Sequence, residues 1–148
     1  VRTRSDFQYP RHRRCVCDGC KSLGEKEMSC PFCDAEGEVL GNELAYAKFD
    51  AFPVSPGHLL IIPRRHAAEW FDLTDAEERA VFSLVRDAKA LIDAQFSPDG
   101  YNIGINCGEA AGQTIFHVHV HLIPRYAGDV DNPRGGVRGV ISAKQNYP

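Results

Sequence analysis

At 148 residues the chain has the length of one domain, which can bury roughly two thirds or more of its unfolded surface without a disulfide staple. With 43% hydrophobic and 25% charged residues it is too apolar to be disordered throughout, and its longest aliphatic run, Leu59-Leu-Ile-Ile62, is far too short to span a membrane. A net charge of −3 and no signal-peptide pattern at the start point to a cytoplasmic protein whose partner is neither a membrane nor a nucleic-acid polymer.

The charge is uneven, because residues 1–27 hold seven Lys/Arg against four Asp/Glu. Through Arg11-His-Arg-Arg14 and Cys15-Val-Cys17-Asp-Gly-Cys20 this segment shows no helical or strand period. It is expected to be a basic, cysteine-containing, disordered extension ahead of a globular domain over residues 28–148. One alternative stays open. Cys17-x2-Cys20 and Cys30-x2-Cys33 have a spacing compatible with four thiolates around one zinc, which would make a small basic module able to bind nucleic acid.

The globular part begins at Glu38. Glu43-Leu-Ala-Tyr-Ala-Lys-Phe49 alternates as a strand does, and Asp50 precedes the turn formers Pro53, Ser55, Pro56 and Gly57. His58-Leu-Leu-Ile-Ile-Pro63 reads as a second strand, hairpin-paired with the first and stopped by proline. A loop and short helical turn carrying Trp70 and Phe71 follow. Thr74-Asp-Ala-Glu77 has the form of a capping box, and Val81, Leu84, Val85, Ala88, Leu91, Ile92 and Phe96 then mark one face of a long helix. That stripe is core, with Arg79, Arg86, Lys89 and Asp93 on the outer face. Ser97-Pro-Asp-Gly100 ends the helix and leads into a third strand, Tyr101-Asn-Ile-Gly-Ile-Asn106. Cys107 is a small buried or pocket-side residue.

Residues 113–125 read Gln-Thr-Ile-Phe-His-Val-His-Val-His-Leu-Ile-Pro-Arg. In a strand His117, His119 and His121 line one face, while Phe116, Val118, Val120 and Leu122 line the other. The glycine-bounded turn before them, Gly108-Glu-Ala-Ala-Gly112, can bring backbone N–H groups close to an anion, with Asn106 at its mouth. A neutral imidazole beside such a turn is a plausible nucleophile toward phosphorus. The tail after Arg125 holds too many turn formers for a regular element. Within it Arg134 and Arg138 are candidate clamps for outer phosphates, or else part of a solvated tail.

His117-Val-His119-Val-His121-Leu-Ile resembles the His-φ-His-φ-His-φ-φ signature, φ being apolar, of the histidine-triad superfamily of nucleotide hydrolases and transferases. Gln113-Thr114 before it and Pro124-Arg125-Tyr126 after it resemble the diadenosine polyphosphate hydrolase branch, and the similarity runs from about Cys30 to the C-terminus. Met28-Ser-Cys-Pro-Phe-Cys33 would be a natural opening for that family. The resemblance implies an α+β domain, a mainly antiparallel sheet with one long and one short helix, paired across a homodimer. It implies that His119 forms a nucleotidyl-histidine which water then hydrolyses. Gln113, Thr114 and His121 would hold the phosphoryl oxygens, Asp50 would accept from the ribose hydroxyls, and His58 and Asn106 would complete the substrate site.

In zinc-containing relatives two cysteines and two histidines form a structural site, here Cys30, Cys33, His66 and His117; reduced thiols are the alternative. The scheme requires no catalytic metal, although a divalent ion can accompany a polyphosphate substrate. Three rivals remain: nucleotidyl transfer to phosphate or hydrolysis of a phosphoramidate; a non-catalytic nucleotide sensor or zinc module; and a metal-storage face.

Overall fold

The structure, a computed structural model, describes residues 30–147. The expected disorder of residues 1–27 and a zinc module using Cys17 and Cys20 lie outside the described residues. Apolar side chains that alternate along several segments must close on one another to leave water, and here they do so as one antiparallel sheet. Its strands are β1 (Glu38–Gly41), β2 (Ala45–Phe49), β3 (Leu59–Pro63), β4 (Gly100–Ile105) and β5 (Val120–Arg125), in the order β1-β2-β3-β5-β4. The expected hairpins are present, with Phe49 opposite Leu59 and Ile105 opposite Val120, and β3 joins them by pairing Leu60 with His121.

Helix α1 (Asp75–Phe96) lies against one face of the sheet. Val81, Leu84, Val85, Ala88 and Ile92 meet Ala45 and Ala47 of β2, Leu59 and Ile61 of β3, and Val120 and Leu122 of β5. Small alanines on β2 let the helix approach closely. The other parity, Tyr46, Leu60 and Ile62, packs with Phe32 on the opposite face, so β3 is buried on both sides. His121, opposite Leu60, belongs to this second face. At the β2–β3 turn Gly57 has φ +83° and a Cβ there would lie 3.0 Å from the Phe96 ring, so both the turn and the end of the helix require glycine.

The capping box forms as expected. Thr74 Oγ1 accepts from the Glu77 N–H at 3.3 Å, and the Glu77 carboxylate accepts from the Thr74 N–H at 2.8 Å. Arg65 then donates two bonds to that carboxylate, at 2.7 and 2.8 Å. This guanidinium is the main reason the Glu77 pKa falls from 4.5 to about 2. The short helical turn is a 3-10 helix, Trp70–Asp72.

Three features depart from the sequence reading. Strand β1 was not expected; it is short and exposed, and Arg64 ties its Glu38 down with bonds of 2.9 and 2.8 Å. The tail forms kinked 3-10 turns over Gly136–Lys144 where no regular element was expected. Finally, β5 starts at Val120, so His117 and His119 stand before the ladder rather than within it. Among the described residues no helix is long and apolar enough to cross a membrane.

Two outcomes test the cap. Thr74→Ala should cost about 1 kcal/mol in urea unfolding. Because the folded pKa of Glu77 is depressed, its stabilisation is complete above about pH 4.5 and is lost as pH falls toward about 2. Glu77→Gln should therefore unfold more easily at pH 7 and lose less further stability than wild type between those pH values.

Candidate functional site

A row of imidazoles lies on the second face of the sheet, and two of them, His117 and His119, are held by backbone carbonyls. His117 is 0% exposed, and its Nε2 can only donate to the Pro63 carbonyl, 2.8 Å away. Its Nδ1 is therefore a lone pair, and it faces Cys30 Sγ at 3.4 Å and Cys33 Sγ at 3.7 Å. His66 Nδ1 lies 3.4 Å from Cys33 Sγ. Burial pushes the His117 pKa down to about 4 and also lowers that of His66, so both rings are neutral near pH 7. A tetrahedral zinc with Zn–S of about 2.3 Å and Zn–N of about 2.0–2.1 Å sets S and N about 3.6 Å apart. The observed separations match, and the four ligand atoms all lie within 4.8 Å of one another. Cys30, Cys33, His66 and His117 thus form a cluster able to hold a metal, as expected for these residues.

His119 Nδ1 donates to the His117 carbonyl at 2.9 Å, which leaves Nε2 with the lone pair. Its ring meets Phe32 edge-on at 5.2 Å and His121 at 4.9 Å. His121 Nδ1 lies 3.0 Å from Nε2 of His58, a ring only 3% exposed. Burial, reinforced by His119 and His58, pushes His121 down to about 4. Asp50, at the end of β2, has one carboxylate oxygen on the Phe52 N–H at 2.9 Å and the other 3.5 Å from His58 Nδ1.

Beside these rings lies a cavity of about 400 Å³, lined on its polar side by Asp50, His58, His121, Asn102 and Asn106. Its apolar side is made by Phe52, Val54, Ile123, Val137 and Val140. A larger cavity of about 510 Å³ around Arg125 and Asp129 has no histidine in its lining, so size does not mark the site. The sequence reading missed the apolar wall. Phe52 and Val54 sit in a proline-flanked turn and Val137 and Val140 in the tail, and only their apolar character in such polar surroundings could have drawn attention to them.

One expectation needs correction. The N–H groups of Gly108, Ala111, Gly112 and Gln113 all have partners within the turn, so as folded these four do not form an anion cradle. Gln113 is 3% exposed; its oxygen accepts from the Gly108 N–H at 2.7 Å, and its amide donates to the Ala68 and Ile115 carbonyls at 2.6 and 3.2 Å. It braces the turn from inside, while Thr114 is exposed at the turn's end. Arg138 donates to the Gln145 and Lys144 carbonyls within the tail. Arg134 and Arg138 both lie over the Tyr147 ring, at 4.7 and 5.2 Å.

The match to known proteins follows this geometry. A model of the HIT domain matches residues 36–128, more than half of the chain. The chain belongs to the HIT family. Its HIT domain is 38% identical over 100 residues to a protein named AP-4-A phosphorylase from Mycobacterium tuberculosis, covering 66% of this chain and 51% of that one. It is 44% identical over 87 residues to the asymmetrical bis(5'-nucleosyl)-tetraphosphatase of Schizosaccharomyces pombe, covering 59% and 48% respectively. This chain therefore spans about half the length of these two curated relatives. The crystal structure of a HIT family protein from Bacillus anthracis superposes with a TM-score of 0.64 at 40% identity, covering 68% of this chain and 75% of that one.

Because Gln113 serves an N–H and two carbonyls, Gln113→Ala should destabilise the HIT domain by about 1–3 kcal/mol. Gln113→Glu, which keeps the acceptor and loses the donor, should also lower the urea midpoint. An unchanged midpoint in both would remove the bracing role.

Proposed function

We propose that this HIT domain acts on dinucleoside polyphosphates or related nucleotide conjugates, cleaving at the α-phosphate through a nucleotidyl-histidine on His119. The observation that carries this reading is the bond from His119 Nδ1 to the His117 carbonyl, which puts the lone pair of the neutral ring on Nε2, next to His121 in the cavity wall. The names of the Mycobacterium and Schizosaccharomyces relatives support the substrate class.

In the first step Nε2 attacks the α-phosphorus, the N–P bond forms, and the P–O bond to the leaving nucleotide breaks with its electrons on the departing oxygen. Positive charge grows on the ring while Nδ1–H remains on a carbonyl, which stabilises it. His121, neutral beside it, adds no second cation next to the nucleophile and can donate to a phosphoryl oxygen. Water then attacks phosphorus, the N–P bond breaks, and His119 regains its lone pair; phosphate in place of water would make the reaction a phosphorolysis. Asp50 would take the ribose hydroxyls, with Asn106 at the phosphate end and the base against Phe52, Val54 and Val137.

Zinc would be held by Cys30, Cys33, His66 and His117, and in a closed site of four protein ligands it supplies structural support and no chemistry. A divalent ion bound with a polyphosphate would belong to the substrate. Gln113 and Thr114 act as phosphate ligands only if Gln113 releases its present partners. We place the protein in the cytoplasm and as a homodimer; edge strand β4, with Ile103 47% exposed, supports self-pairing.

Chromatography of products from a diadenosine polyphosphate series should show a nucleoside monophosphate with water alone and a nucleoside diphosphate if phosphate is the acceptor. His119→Ala should lower turnover by about 10⁴-fold or more while nucleotide still binds. Turnover retained in that variant would refute the assignment. Zinc should co-purify in equimolar amount and be lost from Cys30→Ser/Cys33→Ser, with a lower thermal midpoint; equal metal content in both proteins would refute the site.

A further inference from the structure

His58 Nδ1 receives two groups with opposite demands. The Val54 N–H donates to it at 3.3 Å and so requires a lone pair. One Asp50 carboxylate oxygen lies 3.5 Å from the same nitrogen and favours a proton there. Whichever demand prevails is transmitted, because among the described residues Nε2 of His58 meets only Nδ1 of His121, at 3.0 Å. With the lone pair at His58 Nδ1, Nε2–H donates to His121 Nδ1, and His121 carries its proton on Nε2, where it can donate to a phosphoryl oxygen. With the proton at His58 Nδ1 the order reverses, and His121 Nε2 becomes an acceptor that repels phosphoryl oxygen.

The two arrangements hold the same number of protons. In passing between them one proton crosses the 3.0 Å bond, one arrives from solvent at one end and one leaves to solvent at the other. His58 is buried and His121 half-buried, and burial holds both toward the neutral form, in which each ring carries a single proton. We propose that ribose engagement of Asp50 sets the tautomer of the His58–His121 pair, so that His121 presents Nε2–H to the phosphoryl group when a nucleotide's ribose is bound. This rests on the nucleotide reading above. Ribose hydroxyls donating to Asp50 remove its demand on His58, and Val54 then fixes the ring. Asp50 and His58 are in this respect positioning residues that act through His121.

The orientation of Asp50 makes the idea testable by one substitution. One oxygen is held by the Phe52 N–H, so an asparagine keeps its carbonyl there and turns its NH2 toward His58 Nδ1. Asp50→Asn should therefore impose the lone-pair tautomer with no nucleotide present. The experiment uses the full chain with 15N-labelled histidine and long-range 1H–15N correlation spectra of the ring nitrogens at pH 7.

In the free protein the His58 Nδ1 shift should lie between pyridine-like and pyrrole-like values. Adenosine monophosphate should move it to pyridine-like and His121 Nε2 to pyrrole-like. The 2',3'-dideoxy analogue should bind, as seen by calorimetry, without that change, and free Asp50→Asn should match the nucleotide-bound pattern. Identical shifts in free and bound wild type, or in free wild type and Asp50→Asn, would overturn the coupling. If adenosine monophosphate does not bind, the nucleotide reading fails, and the comparison of the two free proteins still decides the coupling. Should Asp50→Asn not fold, the free and bound wild-type spectra decide it.

Discussion

The hydrogen bond from His117 Nε2 to the Pro63 carbonyl is the contact on which the rest of the site depends. A carbonyl can only accept, so this bond puts the His117 proton on Nε2 and its lone pair on Nδ1, toward two cysteines. The same residue's backbone carbonyl fixes the proton of His119, again by offering only an acceptor. One residue thus faces a cluster able to hold a metal with its ring and orients the proposed nucleophile with its main chain. A metal held by that cluster would couple support for the fold to the orientation of the proposed nucleophile, as outer partners of a ligating histidine commonly do.

The sheet makes this possible by keeping its two faces separate. Ala45 and Ala47 allow α1 to seal one face, while Tyr46, Leu60, Ile62 and Phe32 make the other face apolar beneath the histidines. β3 is buried on both faces, which explains why Leu59-Leu-Ile-Ile62 lacks the alternation of a strand with one wet side. The dry floor has an electrostatic consequence. It disfavours the charged imidazole, so His121 is neutral at pH 7 beside the histidine proposed as nucleophile. An exposed row of three histidines would give the nucleophile no such protection from its neighbours.

Much of this was legible in the sequence, for stated reasons. The capping box, the α1 stripe and both hairpins follow from spacing or motif, which act over short range, whereas the Cys30, Cys33, His66 and His117 cluster came from the family resemblance alone. β1 was missed because Glu38-Val-Leu-Gly41 has little strand character; its Arg64 partner lies 26 positions along the chain. The tail was missed because its turn formers say nothing of the Tyr147 ring on which Arg134 and Arg138 stack. Gln113 was assigned outward by its neighbours in the motif, whereas its partners Gly108 and Ala68 turn it inward. In each case the deciding contact is tertiary and leaves no periodic pattern in the sequence.

The late start of β5 is the departure that matters for chemistry. Alternation suggested one continuous strand through all three histidines, yet β3 pairs only as far as Ile61 with Val120, and the Val118 N–H turns to the Ala67 carbonyl at 2.8 Å. Within a regular ladder the main-chain groups are committed to neighbouring strands. Outside it, the His117 carbonyl is available to the side chain of His119, two residues on. A strand that continued two residues further would satisfy the hydrophobic pattern better and remove the acceptor that sets the tautomer of His119. The local rule therefore fails at the place where function needs the backbone for something other than the sheet.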